Sequence, residues 1–585
     1  MLSPSSRLTG RSRACHRRHR VVAALARNQG EREHGKADSV PDVRLTSGMV
    51  RGQSVTMKTA LGFAVVLGVV GCGDGDPSGG PDSGSAGDAA PDGTPACGAG
   101  ITPEPGLVVT AAGAVRGAAV GATYAFLGIP FAEPPVAELR FRPPVVHACW
   151  QGERPATAFG SVCPQIDMGA VIGDEDCLTL NVWTPATPPA TPLPVMVWLH
   201  GGGEVAGSGS EPFYDGQDLA ETYGVVVVTL NYRLGQLGFL AHTALTSESP
   251  AGVSGNYGML DQIAVLDWVQ RNAAVFGGDA GNVMIFGESA GGRNVCTLVA
   301  SPLAAGLFHR AAMQSGACAF LDTLAETETF GATYADMAGC TGAADVPDCL
   351  RALDVDTVVN TLSSPPSSLG GSNWGANVDG HVLPALPLDA LAAGTHNHVP
   401  LVIGTNADET ARDAPMIATD AGYQQAVRAV YGMVFGDLIM AQYPSASFPT
   451  PRHAFIAVTS DSRFTCPARQ IARAAVAGQS EPIYRYFFTY SPGPLGAVHG
   501  IEIPYLFHTM DRVPRFTPGA ADERVSATVG TAWTSFAATG DPGTVAAPWP
   551  VYLTDGSDRH IVLDDPPSTG DGIHTNRCDF WDMLL

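Results

Sequence analysis

The feature that most constrains this chain is Gly287-Glu288-Ser289-Ala290-Gly291, placed directly after the apolar run Val283-Met284-Ile285-Phe286 and before a stretch of helical character. A strand that turns at once into a helix leaves no room for a Cβ on either side of the bend, which explains the two glycines. The serine hydroxyl is lifted clear of the sheet, and the N–H groups that open the helix face any negative charge forming nearby. A chain with 69 glycines meets this five-residue pattern by chance. The strand before it and the helix after it give the pattern its meaning.

His200-Gly201-Gly202-Gly203 is a second such junction, following the run Val195-Met196-Val197-Trp198-Leu199. Three glycines after a buried strand leave backbone N–H groups uncovered, and two of them together with that of Ala290 form the donor set an oxyanion requires. The two junctions together imply hydrolysis through a serine nucleophile.

A serine needs a base to take its proton, and the base needs an acid to hold its tautomer. In sheets of this kind the order along the chain is Ser, then Asp or Glu, then His. The run Leu401-Val402-Ile403 leads to Asp408 and Glu409 at a strand's C-terminal end, where ligand sites form in open α/β sheets. Residue physics does not separate these two carboxylates. Among His453, His499, His508, His560 and His574, His499 alone follows the Tyr484–Phe488 strand through the turn Ser491-Pro492-Gly493-Pro494 and precedes Gly500.

Val225–Leu230 is a further continuous apolar run, and Leu260–Val275 carries apolar residues at helical spacing. Alternating strands and helices predict an α/β fold, with a large, mostly parallel central sheet covered by helices on both faces. Net charge is −23, from 33 Lys+Arg against 56 Asp+Glu. Such a surface repels nucleic acid, whose affinity rests on cation–phosphate contacts.

The N-terminus reads differently. Residues 1–56 are rich in Arg and His and lack apolar periodicity, as an over-extended start or a leader outside the fold would. Residues 57–71 have one positive charge, Lys58, then the apolar run Ala60–Val70, and read as an export signal. Val69-Val70-Gly71-Cys72 resembles a bacterial lipobox, which would make Cys72 a lipid anchor. Residues 72–100 are almost wholly Gly, Asp, Pro, Ser and Ala, a flexible tether before a domain spanning 101–585. The chain is therefore expected to be exported, facing the outer membrane and periplasm or the exterior, and to meet a membrane only through that anchor. Of 12 cysteines, ten remain beyond Cys15 and Cys72, none in a C-x-x-C pair; this argues for disulfides rather than a metal site.

From about residue 105 onward the chain resembles the type-B carboxylesterases, the family of para-nitrobenzyl esterases, cholinesterases and neuroligins. The stretches that carry the resemblance are Phe126-Leu127-Gly128-Ile129-Pro130-Phe131-Ala132, Glu175-Asp176-Cys177-Leu178-Thr179-Leu180-Asn181-Val182 and Asn231-Tyr232-Arg233-Leu234-Gly235. Gly255-Asn256-Tyr257-Gly258, Phe276-Gly277-Gly278-Asp279, Val498-His499-Gly500-Ile501-Glu502-Ile503-Pro504-Tyr505 and Cys578-Asp579-Phe580-Trp581 add to it. The resemblance implies an α/β-hydrolase fold and a triad of Ser289, Glu409 and His499, with oxyanion donors at Gly202, Gly203 and Ala290. It implies the disulfides Cys163–Cys177, Cys340–Cys349 and Cys466–Cys578, and a small-molecule ester substrate with no cofactor or metal. Cys97, Cys149, Cys296 and Cys318 are left over, and the sequence leaves their pairing open, with Cys97–Cys149 and Cys296–Cys318 as one assignment.

The chain departs from the family at two points. Glu204 stands where an aromatic residue is usual, and Arg293 where small residues follow the elbow. Because both loops meet at the site, the two are expected to pair; the alternative is that both point to solvent. The loop Cys163–Cys177 has no aromatic residue, so it lacks the cation–π face that holds choline. Trp374 either lines the pocket or serves packing alone. The competing functions are a lipase or an amide or carbamate hydrolase with the same triad, and a neuroligin-like binding module, which would lack the nucleophile.

Overall fold

The computed structural model describes residues 97–370 and 373–584. The leader, the export signal, Cys72 and most of the tether lie outside the described residues. The last tether residues do not: Cys97 opens a turn and is bridged to Cys149.

Eleven strands form one sheet: β1 (Ala118–Val120), β2 (Thr123–Pro130), β3 (Thr179–Pro185), β4 (Leu193–Leu199), β5 (Val226–Leu230), β6 (Gly278–Glu288), β7 (Arg310–Gln314), β8 (Leu401–Asn406), β9 (Ile483–Phe488), β10 (Arg559–Leu563) and β11 (Ser568–Asp571). Their spatial order is β1-β2-β3-β5-β4-β6-β7-β8-β9-β10-β11. The run from β5 to β10 is parallel throughout. The strands at both margins pair antiparallel, so the sheet is mixed with a parallel centre.

The unbroken apolar runs follow from burial on both faces. Along β4, Val195, Val197 and Leu199 enter one core while Met196 and Trp198 enter the other. In β6, Val283 and Ile285 join the first core, Met284 and Phe286 the second. Helices α1 (Tyr257–Asn272) and α2 (Ala290–Ala300) cover the first face. Helix α3 (Ala520–Thr539) covers the second through Val525, Val529, Trp533 and Phe536. A third core lies between the helices Asp420–Gln442, Pro451–Ser460 and Cys466–Gly478, and includes Tyr443, Phe455 and Trp581.

The cysteines pair as Cys97–Cys149, Cys163–Cys177, Cys296–Cys318, Cys340–Cys349 and Cys466–Cys578. Five disulfides belong to a protein that matures in an oxidising compartment. Among the described residues no helix is long and apolar enough to cross a membrane.

Candidate active site

The C-terminal ends of β4, β6, β7 and β8 build the site. At the end of β6, Ser289 has φ 59° and ψ −121°, a left-handed conformation held from both sides. Its N–H donates to the Gln314 carbonyl at the end of β7 (2.9 Å), and helix α2 begins at Ala290. The bend admits no side chains: a Cβ on Gly287 would stand 2.6 Å from the Leu199 carbonyl oxygen, and one on Gly291 would collide with the same group. Ser289 itself is only partly buried.

The glycine loop leaves β4 and crosses the elbow. A Cβ on Gly201 would lie 3.1 Å from Ser289 Cβ. Gly202 and Gly203 have φ of 97° and 67°, and the Val205 and Ala206 N–H groups fold back onto the Gly202 carbonyl. No hydrogen bond among the described residues uses the Gly202 or Gly203 N–H. The Ala290 N–H, first in its helix, has no intrahelical acceptor either. His200 supports the loop from beneath. It is buried, stacks on Tyr232 at 4.4 Å, and is pushed by burial down to about 4, so it is neutral. Gln165, inside the Cys163–Cys177 loop, accepts from the Gly207 N–H (2.8 Å) and donates to its carbonyl (3.0 Å).

The adjacent carboxylates at the end of β8 divide their work. Glu409 Oε2 meets His499 Nδ1 at 2.6 Å, and its Oε1 accepts from the Asn406 N–H at 2.7 Å. Asp408 turns to the backbone of the histidine loop, where its Oδ2 accepts from Ala497 N–H at 3.1 Å. The His499 N–H donates to the Glu409 carbonyl (3.1 Å), and Arg412 donates to the His499 carbonyl (2.9 Å). The other face of the imidazole approaches the elbow, with Nε2 3.3 Å from Oε1 of Glu288, the residue before Ser289. The Phe464 ring, on the π-helical turn Asp461–Thr465, packs against it at 4.8 Å.

Sequence reasoning missed the buried network behind these groups. Glu502 accepts from Asn406 Nδ2 at 2.6 Å and from Gln314 Nε2 at 3.3 Å, while Trp533 Nε1 donates to Gln314 at 3.0 Å. Gln314 and Asn406 thereby tie the elbow to the acid and histidine loops. Glu288 and Glu502 sit inside motifs already singled out. Gln314 lies on a short strand with no local signature.

Burial lowers the proton affinity of His499, but the carboxylates of Glu288, Glu409 and Glu502 outweigh it and raise the imidazolium to about 9. Burial likewise pushes Glu288 up to about 8, against the attraction of His499. A base must be neutral to act, so kcat/KM is expected to climb as pH rises from 7 toward 9. Glu288→Gln removes an anion that stabilises the imidazolium, so the rising limb should move to lower pH. A pH-rate profile of the two proteins measures this; an unmoved limb contradicts it.

Glu204 and Arg293 do pair. Arg293 Nη1 lies 3.1 Å from Glu204 Oε2, with Glu204 fully buried and the arginine side chain 28% exposed. Trp374, by contrast, is buried and packs edge-on against Phe330 and Tyr334, which makes it a core residue.

The fold and the elbow define an α/β-hydrolase. Residues 104–581 match the sequence profile of the carboxylesterase family. The chain is 40% identical to fumonisin B1 esterase from Sphingopyxis macrogoltabida, over 77% of this chain and 85% of that protein. It is 36% identical to para-nitrobenzyl esterase from Bacillus subtilis (79% and 97%) and 34% identical to human cocaine esterase (80% and 89%). A solved structure of para-nitrobenzyl esterase superposes with a TM-score of 0.72 at 32% identity, covering 81% of this chain and 99% of that one. The chain belongs to the carboxylesterase family. It is a carboxylic ester hydrolase.

Proposed function

We propose that Ser289, Glu409 and His499 act as the catalytic triad, with Gly202, Gly203 and Ala290 as the oxyanion donors. The observation that carries this reading is the 2.6 Å contact of Glu409 with His499 Nδ1, on an imidazole whose Nε2 approaches the residue preceding a strained serine. Nε2 takes the Ser289 proton as Oγ attacks the ester carbonyl. The resulting oxyanion is stabilised by backbone donors that need no reorganisation. Collapse breaks the bond to the alkoxy oxygen, and the alcohol leaves with the proton from Nε2. Water then attacks the acyl-enzyme, giving its proton to Nε2. The carboxylic acid departs as Ser289 Oγ recovers that proton. Glu409 keeps Nδ1 protonated and stabilises the imidazolium.

The relatives are named for fumonisin B1, para-nitrobenzyl and cocaine esters, so the family alone does not specify the substrate. The test is a panel of p-nitrophenyl esters, long-chain triglyceride emulsions and anilides, with mass analysis of the protein during turnover. A pre-steady-state burst and an acyl mass on the peptide containing Ser289 are expected, with short esters turned over fastest. An acyl group on another residue overturns the triad.

The same reading makes the protein exported, with residues 57–71 as signal and Cys72 as lipid anchor. It rests on the lipobox-like Val69-Val70-Gly71-Cys72 and on a disulfide-bonded domain that begins by Cys97.

A further inference from the structure

Arg293 is the fourth residue after the nucleophile, and its N–H donates to the Ser289 carbonyl at 3.0 Å. Its guanidinium is anchored by a single hydrogen bond, from Nη1 to Glu204, the residue that follows Gly203 in the glycine loop. Gly375 closes over this pair: a Cβ there would stand 2.6 Å from Glu204 Oε2 and 3.5 Å from Arg293 Nη1. No hydrogen bond among the described residues uses Nε or Nη2, and the side chain remains partly exposed. An arginine held at one nitrogen presents its remaining donors in a planar fork suited to a carboxylate.

The position of this fork gives it a direction. The leaving alcohol must take its proton from His499, so it lies on the imidazole side, beside Glu288. Arg293 is fastened instead to the glycine loop, which receives the carbonyl oxygen and leaves the acyl chain to extend away from His499. Glu288, Glu409 and Glu502 surround the imidazole, and the chain as a whole carries −23. Burial holds Glu288 and Glu502 toward their neutral forms and His499 carries the compensating charge, so it is the chain's net negative charge that opposes a substrate anion, and a further cation at the site favours its binding. Burial also raises the Glu204 carboxyl above its usual range, and Arg293 opposes that shift.

We propose that Arg293 is a specificity-determining residue that binds a free carboxylate on the acyl portion of the substrate, so the esters favoured are half-esters of dicarboxylic or higher acids. This rests on the triad reading above, since it assumes that the ester carbonyl lies between Ser289 and the glycine loop.

The test compares monomethyl glutarate with methyl valerate, which share the ester and the three methylenes and differ in carboxylate against methyl. Hydrolysis by the full-length protein is followed by pH-stat titration. Arg293→Gln is expected to lower the kcat/KM ratio of the anionic to the neutral ester by about 10- to 100-fold, the worth of a hydrogen bond between charged groups, and mainly through KM. Arg293→Lys should recover part of the ratio, and added salt should erode it in the wild type. Glu204→Gln keeps the cation and removes its partner, so it should raise the ratio. This second variant decides the matter if Arg293→Gln does not fold. A ratio unmoved by Arg293→Gln, with both esters falling together, means that the arginine only neutralises Glu204 and overturns the inference. A ratio lowered by Glu204→Gln overturns it as well. A wild type that hydrolyses neither ester, while remaining inert on p-nitrophenyl esters, defeats the triad reading instead.

Discussion

Ser289→Ala should reduce kcat by about 10⁶-fold while leaving the fold intact. In the triad proposed above, the oxygen it removes is the atom that forms the covalent bond. The backbone φ of 59° at this position is tolerated by alanine about as well as by serine, since both carry the same Cβ. Melting temperature and circular dichroism should therefore match the parent. Residual hydrolysis should remain about 10³- to 10⁴-fold above water, because the proposed donors Gly202, Gly203 and Ala290 would still polarise a bound carbonyl. Burst kinetics and p-nitrophenol release measure both quantities. A loss of under about a hundredfold would mean that Ser289 is not the nucleophile.

Glu409→Gln should cost about 10⁴-fold in kcat, whereas Asp408→Asn should cost no more than about tenfold. The two residues are neighbours of the same chemical type, and only geometry separates them. Glu409 accepts from His499 Nδ1 at 2.6 Å and from Asn406 at 2.7 Å. An amide in its place offers N–H to Nδ1, which favours the tautomer with the proton on Nε2, where a base cannot take one from serine. Asp408 makes a backbone hydrogen bond to Ala497 that the asparagine carbonyl preserves. Parallel kcat measurements on the two variants check the assignment. Equal losses would mean that the acid has been misplaced.

Local signals made much of this protein legible. The runs at β4, β5, β6, β8 and β9 stood out because burial on both faces demands unbroken apolar sequence. β7 escaped notice: Arg310-Ala311-Ala312-Met313-Gln314 is short, begins with a charge and ends with an amide. Its importance lies in Gln314, whose carbonyl receives the Ser289 N–H and whose side chain bridges Trp533 and Glu502. Such a residue has no local signature, because its partners lie 25 to over 200 positions away and meet it only when the strands align. As residue chemistry Asp408 and Glu409 are equivalent for the same reason, and only the family resemblance points to Glu409.

The bend at Ser289 and the glycines that permit it are properties of adjacent residues, since steric exclusion acts over a few bonds. The class of protein and its chemistry were therefore already contained in the sequence. The contact with His499 that distinguishes Glu409 from Asp408, the polar network that locks the strand ends together and the burial of Trp374 in a core arise only from packing. So does the orientation of Arg293 against Glu204, which joins helix α2 to the glycine loop 89 residues before it. Hydrogen bonds and ion pairs act over about 3 Å, and it takes the completed sheet to bring such distant residues within that reach.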